Sequence, residues 1–203
     1  MLLRLLLCVA VTLTTPSVAA VPSNTISCTG AFAADSSHAR LVATFGRRNV
    51  IYKVIDAGEG FTSPASIIFP DDESRRIEFI WHDEKRRRYP HQIMVYSSSS
   101  PIHSHWILQN KIRLGMPLAD VEQLNGRPFS LLGLDFGTVQ DWRGGALQKK
   151  MGACEVWIWF GARSDIDMGP YEMPMGDETF LSSDPAMRAA KPTLDAIELR
   201  YER

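Results

Sequence analysis

Residues 41–50 read LVATFGRRNV, and residues 121–129 read VEQLNGRPF. In both stretches, apolar residues at helical spacing lead to a glycine followed by an arginine, which predicts a short helix ending at the glycine. A second pair occurs in the same order, because residues 76–81 read RIEFIW and residues 196–201 read AIELRY. Both alternate as a half-buried strand does. The chain is therefore predicted to contain two copies of one helix-then-sheet unit, a repeat that sets the architecture.

The repeat divides the chain into two units joined by a linker. We predict a first α+β unit at 21–96, a linker at 97–110 that begins with four serines and a proline, and a second unit at 111–203. The second unit carries a long insertion at 161–192, rich in Gly, Pro, Met and Asp. Helices are predicted at 36–45, at 117–124 and from Asp184, and strands at 49–55, 63–69, 75–82, 91–96, 129–134, 139–142, 155–160 and 194–201.

Residues 1–20 are predicted to be a secretory signal peptide. Arg4 supplies a positive start, and the apolar run at 5–13 is shorter than the ~20 residues of a membrane-spanning helix. Small residues lead up to Ala20, so we place cleavage after it and the mature protein in the periplasm or outside the cell. The alternative is a lipoprotein anchored through Cys28, although the residues before that cysteine make a poor lipid-attachment motif.

Cleavage at this position removes Cys8 and leaves two cysteines, Cys28 and Cys154. An even number of cysteines in an oxidising compartment favours pairing, so we predict a disulfide between them. The alternative is a pair of buried free thiols. Neither cysteine has a second one at the spacing of a zinc site, and we expect no metal and no other cofactor.

The charge balance argues against nucleic acid as a partner. The chain has 22 Lys and Arg against 23 Asp and Glu, and only Arg4 lies in the signal segment, so the formal charge of the mature chain is −2 rather than −1. Such a chain has no basic excess to attract a polyanion. We also expect no stable membrane insertion, since the apolar run at 5–13 is too short to remain as an anchor.

Residues 112–128 read IRLGMPLADVEQLNGRP. This run resembles the signature of the SmpA/OmlA and BLIP-like (β-lactamase-inhibitor-protein-like) envelope modules, which share a helix-loop-helix packed on a small antiparallel sheet, often in tandem. The chain also resembles a widespread group of exported bacterial proteins in the elements at 69–70, Trp81, 125–129 and 141–145. The resemblance implies an α+β fold of two tandem BLIP-like units, each a short helical segment on a small antiparallel sheet. It also implies protein binding, although the contact residues of the known members do not match positions in this chain.

The strongest predicted strand, residues 155–160, contains two tryptophans on one face. Its alternation places three apolar residues on one side and Glu155, Trp157 and Trp159 on the other, while the closing strand exposes Glu198 and Arg200. Two tryptophans with charged neighbours are typical of a protein-binding surface. We predict that Trp157, Trp159, Glu198 and Arg200 bind another envelope or secreted protein. The alternative is that the other unit or the insertion covers both indoles.

The alternative function is an exported metal-dependent hydrolase. His103 and His105 would share a face in a strand and could chelate a metal beside a carboxylate such as Asp135 or Asp141. No Gly-x-Ser-x-Gly elbow, phosphate loop or His-Glu-x-x-His helix occurs in the chain. Paired cysteines cannot act as nucleophiles. We therefore assign no catalytic residue and predict a binding protein rather than an enzyme.

Overall fold

The computed structural model describes residues 24–58, 60–96, 102, 104–135, 137–162 and 174–202. The predicted signal peptide with its cleavage site after Ala20, His103, and parts of the predicted linker and insertion lie outside these residues. Within them the chain is mixed α+β, with mostly antiparallel sheets and few helices. The predicted fold class is confirmed at this level.

Three α-helices and twelve strands make up the described chain. The helices are α1 (His38–Phe45), α2 (Leu118–Asn125) and α3 (Pro185–Ala190), with short 3-10 turns at Gly30–Phe32 and Arg47–Asn49. The strands are β1 (Thr25–Ile26), β2 (Val50–Gly58), β3 (Phe61–Ile68), β4 (Ile77–Asp83), β5 (Arg88–Tyr96), β6 (Ile107–Leu108), β7 (Ser130–Leu132), β8 (Val139–Asp141), β9 (Lys150–Met151), β10 (Cys154–Gly161), β11 (Thr179–Leu181) and β12 (Thr193–Arg200).

The helix bounds lie within two residues of those that the sequence predicts. The side chains of Ser37 and Asp184 cap α1 and α3 by accepting a hydrogen bond from a backbone N–H two or three residues further on. Gly46 and Gly126 follow α1 and α2 with φ of 87° and 76°, a backbone conformation that glycine adopts without steric cost. Both glycines belong to the repeated pattern, so the pattern marks two helix ends.

The main sheet has seven strands in the order β2-β3-β4-β5-β12-β10-β9. The closing strand β12 is antiparallel to β5 on one side and to β10 on the other. Strands of both predicted units therefore belong to one continuous sheet. A smaller sheet, β11-β7-β8, adjoins it through the bridge between Thr138 and Trp159. The division into tandem BLIP-like units remains a prediction.

The two repeated strands occupy matching places in this sheet. β4 and β12 lie on opposite sides of β5, and Met94 of β5 pairs with Glu78 on one side and with Glu198 on the other. Both glutamates are buried, and each forms an ion pair with an arginine of its own strand or its approach, Arg76 or Arg200. The similarity between residues 76–81 and 196–201 thus corresponds to similar positions beside the central strand.

The main core lies on one face of the seven-stranded sheet, which we call the inner face. Its fully buried side chains include Phe79, Ile93 and Leu199. All three described helices contribute buried side chains to this cluster, for example Leu41 from α1 and Met187 from α3. The opposite, outer face carries the other side chains of the same strands, and only a small apolar cluster forms there around β2 and β3.

A disulfide joins Cys28 to Cys154, as predicted. The two Cα atoms are 5.8 Å apart, and 126 positions separate the cysteines in the sequence. The bond connects the segment before the first 3-10 turn to the start of β10, and both cysteines are buried. Such a bond is compatible with an exported protein.

Within the described ranges, no helix has the length and apolar character needed to cross a membrane.

Candidate functional site

The strand β10 alternates between the two faces of the sheet along its whole length. Val156, Ile158 and Phe160 are buried on the inner face, whereas Trp157 and Trp159 lie on the outer face and are each half-buried. The predicted alternation is confirmed. Part of each indole is exposed to solvent, and the rest packs against the protein.

Trp157 is surrounded by charged side chains. The Nζ atom of Lys149 lies 3.4 Å from the ring centroid, and the guanidinium carbon of Arg200 lies 4.3 Å from it. The indole Nε1 donates a hydrogen bond to Glu155 Oε2 at 3.2 Å. Cation–π contacts on this indole fix its orientation and place positive charge beside it.

Glu198 and Arg200 lie beside the tryptophans, but they differ in accessibility. Glu198 pairs with Trp157 across the strands and is only 2% exposed. Its carboxylate accepts hydrogen bonds from Arg200 Nε at 2.5 Å and Nη2 at 3.0 Å. Arg200 remains 41% exposed at its side chain. The buried Glu198 therefore holds the guanidinium of Arg200 in place, and Arg200 is the member of the pair that is accessible from solvent.

Trp159 lines a cleft of about 390 Å³ at the end of the outer face. The cleft is lined by residues of β5, β10 and β12 and by the loop after β7: Met94, Tyr96, Leu134, Asp135, Trp159, Phe160, Gly161, Asp195 and Ala196. Of these described residues, two are aspartates and none is Lys or Arg. The described lining of the cleft is therefore acidic and aromatic, whereas the two cations beside Trp157, Lys149 and Arg200, form ion pairs with Glu155 and Glu198.

A bulge in the pairing of β10 with β12 brings Asp195 into this cleft. Trp159 pairs with Ala196, but Phe160 pairs with Leu194, so Asp195 is left without a cross-strand partner. Its carboxylate packs against Gly161, where a Cβ atom would collide with Oδ2. The glycine is needed here because any side chain would displace the aspartate.

The environment of Asp195 opposes ionisation. Burial raises the pKa of Asp195 to about 6, and hydrogen bonds from the backbone N–H groups of Asp195 and Ala196 offset only part of the rise. No described Lys or Arg side chain lowers the pKa of Asp195. A half-buried carboxyl with a raised pKa in a cleft is a common property of binding sites.

Replacing Asp195 by asparagine is expected to stabilise the protein at neutral pH. The folded protein holds the carboxyl proton up to about pH 6, whereas the unfolded chain releases it near the ordinary value of 3.8. The free energy of unfolding therefore falls as the pH rises from 3.8 to about 6. Asparagine has no proton to release, so the variant does not undergo this decrease. Each pKa unit corresponds to about 1.4 kcal/mol, but screening at a half-buried group reduces the effect, so we expect ~1–2 kcal/mol.

Urea denaturation at about pH 4 and about pH 7.5 measures the effect, which grows with pH. The matched control is Asp35→Asn. The pKa of Asp35 is lowered by its hydrogen bonds to Arg40, so this change should destabilise the protein at neutral pH. If Asp195→Asn changed the free energy of unfolding equally at the two pH values, the pKa of Asp195 would not be raised in the folded protein.

His103 lies outside the described residues, so the chelating pair of His103 and His105 in the alternative hydrolase stays a prediction. His105 is exposed, and its backbone N–H donates to Ser74 O at 2.8 Å. Asp135 and Asp141, the two alternative carboxylates, lie at opposite ends of the β7–β8 hairpin. In the described part of the chain, no three His, Cys, Asp or Glu side chains are grouped to hold a metal ion.

The sequence patterns do not indicate that Asp195, Tyr96 and Lys149 lie beside the two tryptophans. Asp195 follows Leu194 in a strand pattern, and a regular alternation gives no reason to expect a bulge. Tyr96 ends β5, where its hydroxyl donates to Glu78 Oε1 at 3.1 Å. Gly161, the last residue of β10, is the sequence feature that could have indicated a close approach of another side chain, here Asp195, to the backbone.

Comparison with known proteins adds no relative: no family model, no curated protein and no solved structure matches the chain.

Proposed function

We propose that this protein is an exported binding protein that holds another envelope or secreted protein on the outer face of its main sheet, in the second half of the chain. The observation that carries the proposal is the pair of half-buried tryptophans on one strand, with the uncompensated Asp195 in the cleft beside Trp159. Aromatic anchors with charged neighbours are the usual composition of the centre of an interface.

The charges around the two indoles indicate the chemistry of the partner. Lys149 and Arg200 lie against Trp157, whereas Asp135 and Asp195 line the cleft of Trp159. Lys149 and Arg200 are already paired with Glu155 and Glu198, so the charge that is left for a complementary surface is that of the cleft, and we expect the partner to place a basic side chain there. A cation in that cleft would contact the indole face and neutralise Asp195. The partner is thus expected to present a basic side chain to the cleft and an apolar surface to the indoles.

Replacing Trp159 by alanine is expected to reduce partner capture at least tenfold, because truncation of a central interface tryptophan removes about 2 kcal/mol or more of binding free energy. Trp157→Ala should have a similar effect. The free energy of unfolding should fall by only about 2 kcal/mol in either variant, since half of each indole is already open to solvent. Capture on immobilised protein and urea denaturation give the two readouts.

Phe61→Ala is the matched control. Phe61 is the most exposed of the large apolar side chains described, at 69%, and lies in β3 near the opposite edge of the sheet. The proposal requires one species that binds wild type and Phe61→Ala but not Trp159→Ala. If wild type, Phe61→Ala and Trp159→Ala captured the partner equally, or if both tryptophan variants were unfolded, the outer face would not be the binding surface.

A further inference from the structure

Two turns at one end of the β7–β8 hairpin place arginines side by side. Arg127 precedes β7, and Arg143 follows β8. Arg127 Nη1 donates a hydrogen bond to the carbonyl oxygen of Arg143 at 3.1 Å, which ties the two turns together. Both residues are exposed and line a cleft of about 690 Å³ with Pro128, Asp141 and Leu181.

A buried asparagine holds this pair of turns in place. Asn125 is 1% exposed, and its Nδ2 donates to the carbonyl oxygens of Arg127 at 2.9 Å and Trp142 at 3.0 Å. Its Oδ1 accepts from the backbone N–H of Leu147 at 3.1 Å. Gly145 packs so closely on this amide that a Cβ atom would overlap it. The arginine positions are therefore fixed by the interior of the protein.

The backbone at Arg143 has a conformation that favours glycine, as it also has at Arg87, Lys111 and Lys191. Its φ of 54° lies in the left-handed region, which glycine adopts freely and an arginine does not. The next two residues are glycines. An arginine at such a position costs stability relative to glycine, and strained residues of this kind cluster at ligand sites.

We propose that this cleft binds an oxyanion, a carboxylate or a phosphate, between the guanidinium groups of Arg127 and Arg143. In the part of the chain that the structure describes, no acidic side chain forms an ion pair with either group. The planar guanidinium matches both oxyanions, since each accepts two parallel N–H hydrogen bonds. Pro128 and Leu181 give the bound group an apolar neighbour. The site is separate from the outer face and does not depend on partner capture.

Asp141 is the opposing charge in the cleft. Its Oδ1 accepts from the backbone N–H of Arg143 at 2.8 Å, so it shapes the turn, but its charge disfavours an anion. Asparagine at this position would keep the acceptor and remove the charge. Asp141→Asn is therefore expected to tighten anion binding several-fold, and an unchanged or weaker affinity would overturn the location of the site.

The test is an NMR titration of the whole protein with inorganic phosphate and, separately, with acetate, at constant ionic strength. We expect saturable shifts of the amides of Gly126 and Gly144 with at least one of the anions. Arg143→Gly should weaken binding about tenfold or more. Its melting temperature should equal or exceed that of wild type, because glycine relieves the positive φ. A merely structural arginine would instead give a lower melting temperature.

Lys111→Gly is the matched control, because Lys111 is also a cation at positive φ, 71°. Its affinity for the anion should remain that of wild type. Saturation by phosphate alone assigns a phosphorylated ligand, and saturation by acetate alone assigns a carboxylate; either result supports the site. No saturable shift with either anion, or equal weakening in Lys111→Gly and Arg143→Gly, overturns it.

Discussion

Replacement of both Cys28 and Cys154 by alanine is expected to lower the free energy of unfolding by about 5 kcal/mol, the largest single effect in this protein. The bond spans 126 positions of the chain. A cross-link over so long a loop removes much of the conformational freedom of the unfolded chain, and its loss restores that freedom. Because native domains are stable by only about 5–15 kcal/mol, the variant should be close to unfolding.

The location of the bond explains why the folded state also depends on it. Cys28 lies shortly before Phe32, whose ring stacks on that of Phe79 in the core with the ring centroids 5.8 Å apart. Cys154 is the first residue of β10, the strand that contains the two tryptophans. Urea denaturation of the double variant measures the loss. Wild type under a reducing agent should lose the same amount, and a loss below about 1 kcal/mol would show that the unfolded chain is not constrained by the bond.

Replacing Asn125 by alanine is expected to lower the free energy of unfolding by about 3 kcal/mol, because three hydrogen bonds of its side chain are lost and each contributes about 1 kcal/mol. The backbone N–H of Leu147 would be left without its partner in a buried place, whereas the carbonyl oxygen of Trp142 would keep its hydrogen bond from the backbone N–H of Gly145. The change should also loosen the turns of Arg127 and Arg143 and so weaken anion binding.

Asn49→Ala is the matched control for this prediction. Asn49 is exposed, and its Nδ2 makes a hydrogen bond to Phe45 O at 2.8 Å, so its replacement should cost at most about 1 kcal/mol. Chemical denaturation gives both values. If the two asparagine variants lost equal stability, the role of Asn125 as the support of both arginine turns would be wrong.

Local chemistry made much of the fold predictable. The helix ends at Gly46 and Gly126 follow from the need for a positive φ, and the cap at Asp184 follows from its place before Pro185. The alternation in β10 was readable because one face of the sheet is fully buried. The pairing of Cys28 with Cys154 followed from their number and the predicted compartment.

The remaining features depend on contacts between distant parts of the chain. The pairing of β12 with β5, which joins both predicted units in one sheet, leaves no mark in a single sequence. The bulge that exposes Asp195 to the cleft arises from a register shift between two strands. Burial of Glu198 beside Arg200 has the same origin, since a charged residue at an outward position is ordinarily expected to reach solvent.

Photocrosslinking from Tyr96 tests whether the cleft beside Trp159 contacts another protein. Tyr96 lines the cleft and is 39% exposed, whereas Tyr89 is 38% exposed and does not line it. Each tyrosine is replaced in turn by p-benzoylphenylalanine in cells that express the full chain. We expect one discrete adduct from position 96, none from position 89, and loss of the adduct in Trp159→Ala. No adduct from position 96, or the same adducts from both positions, would contradict that expectation.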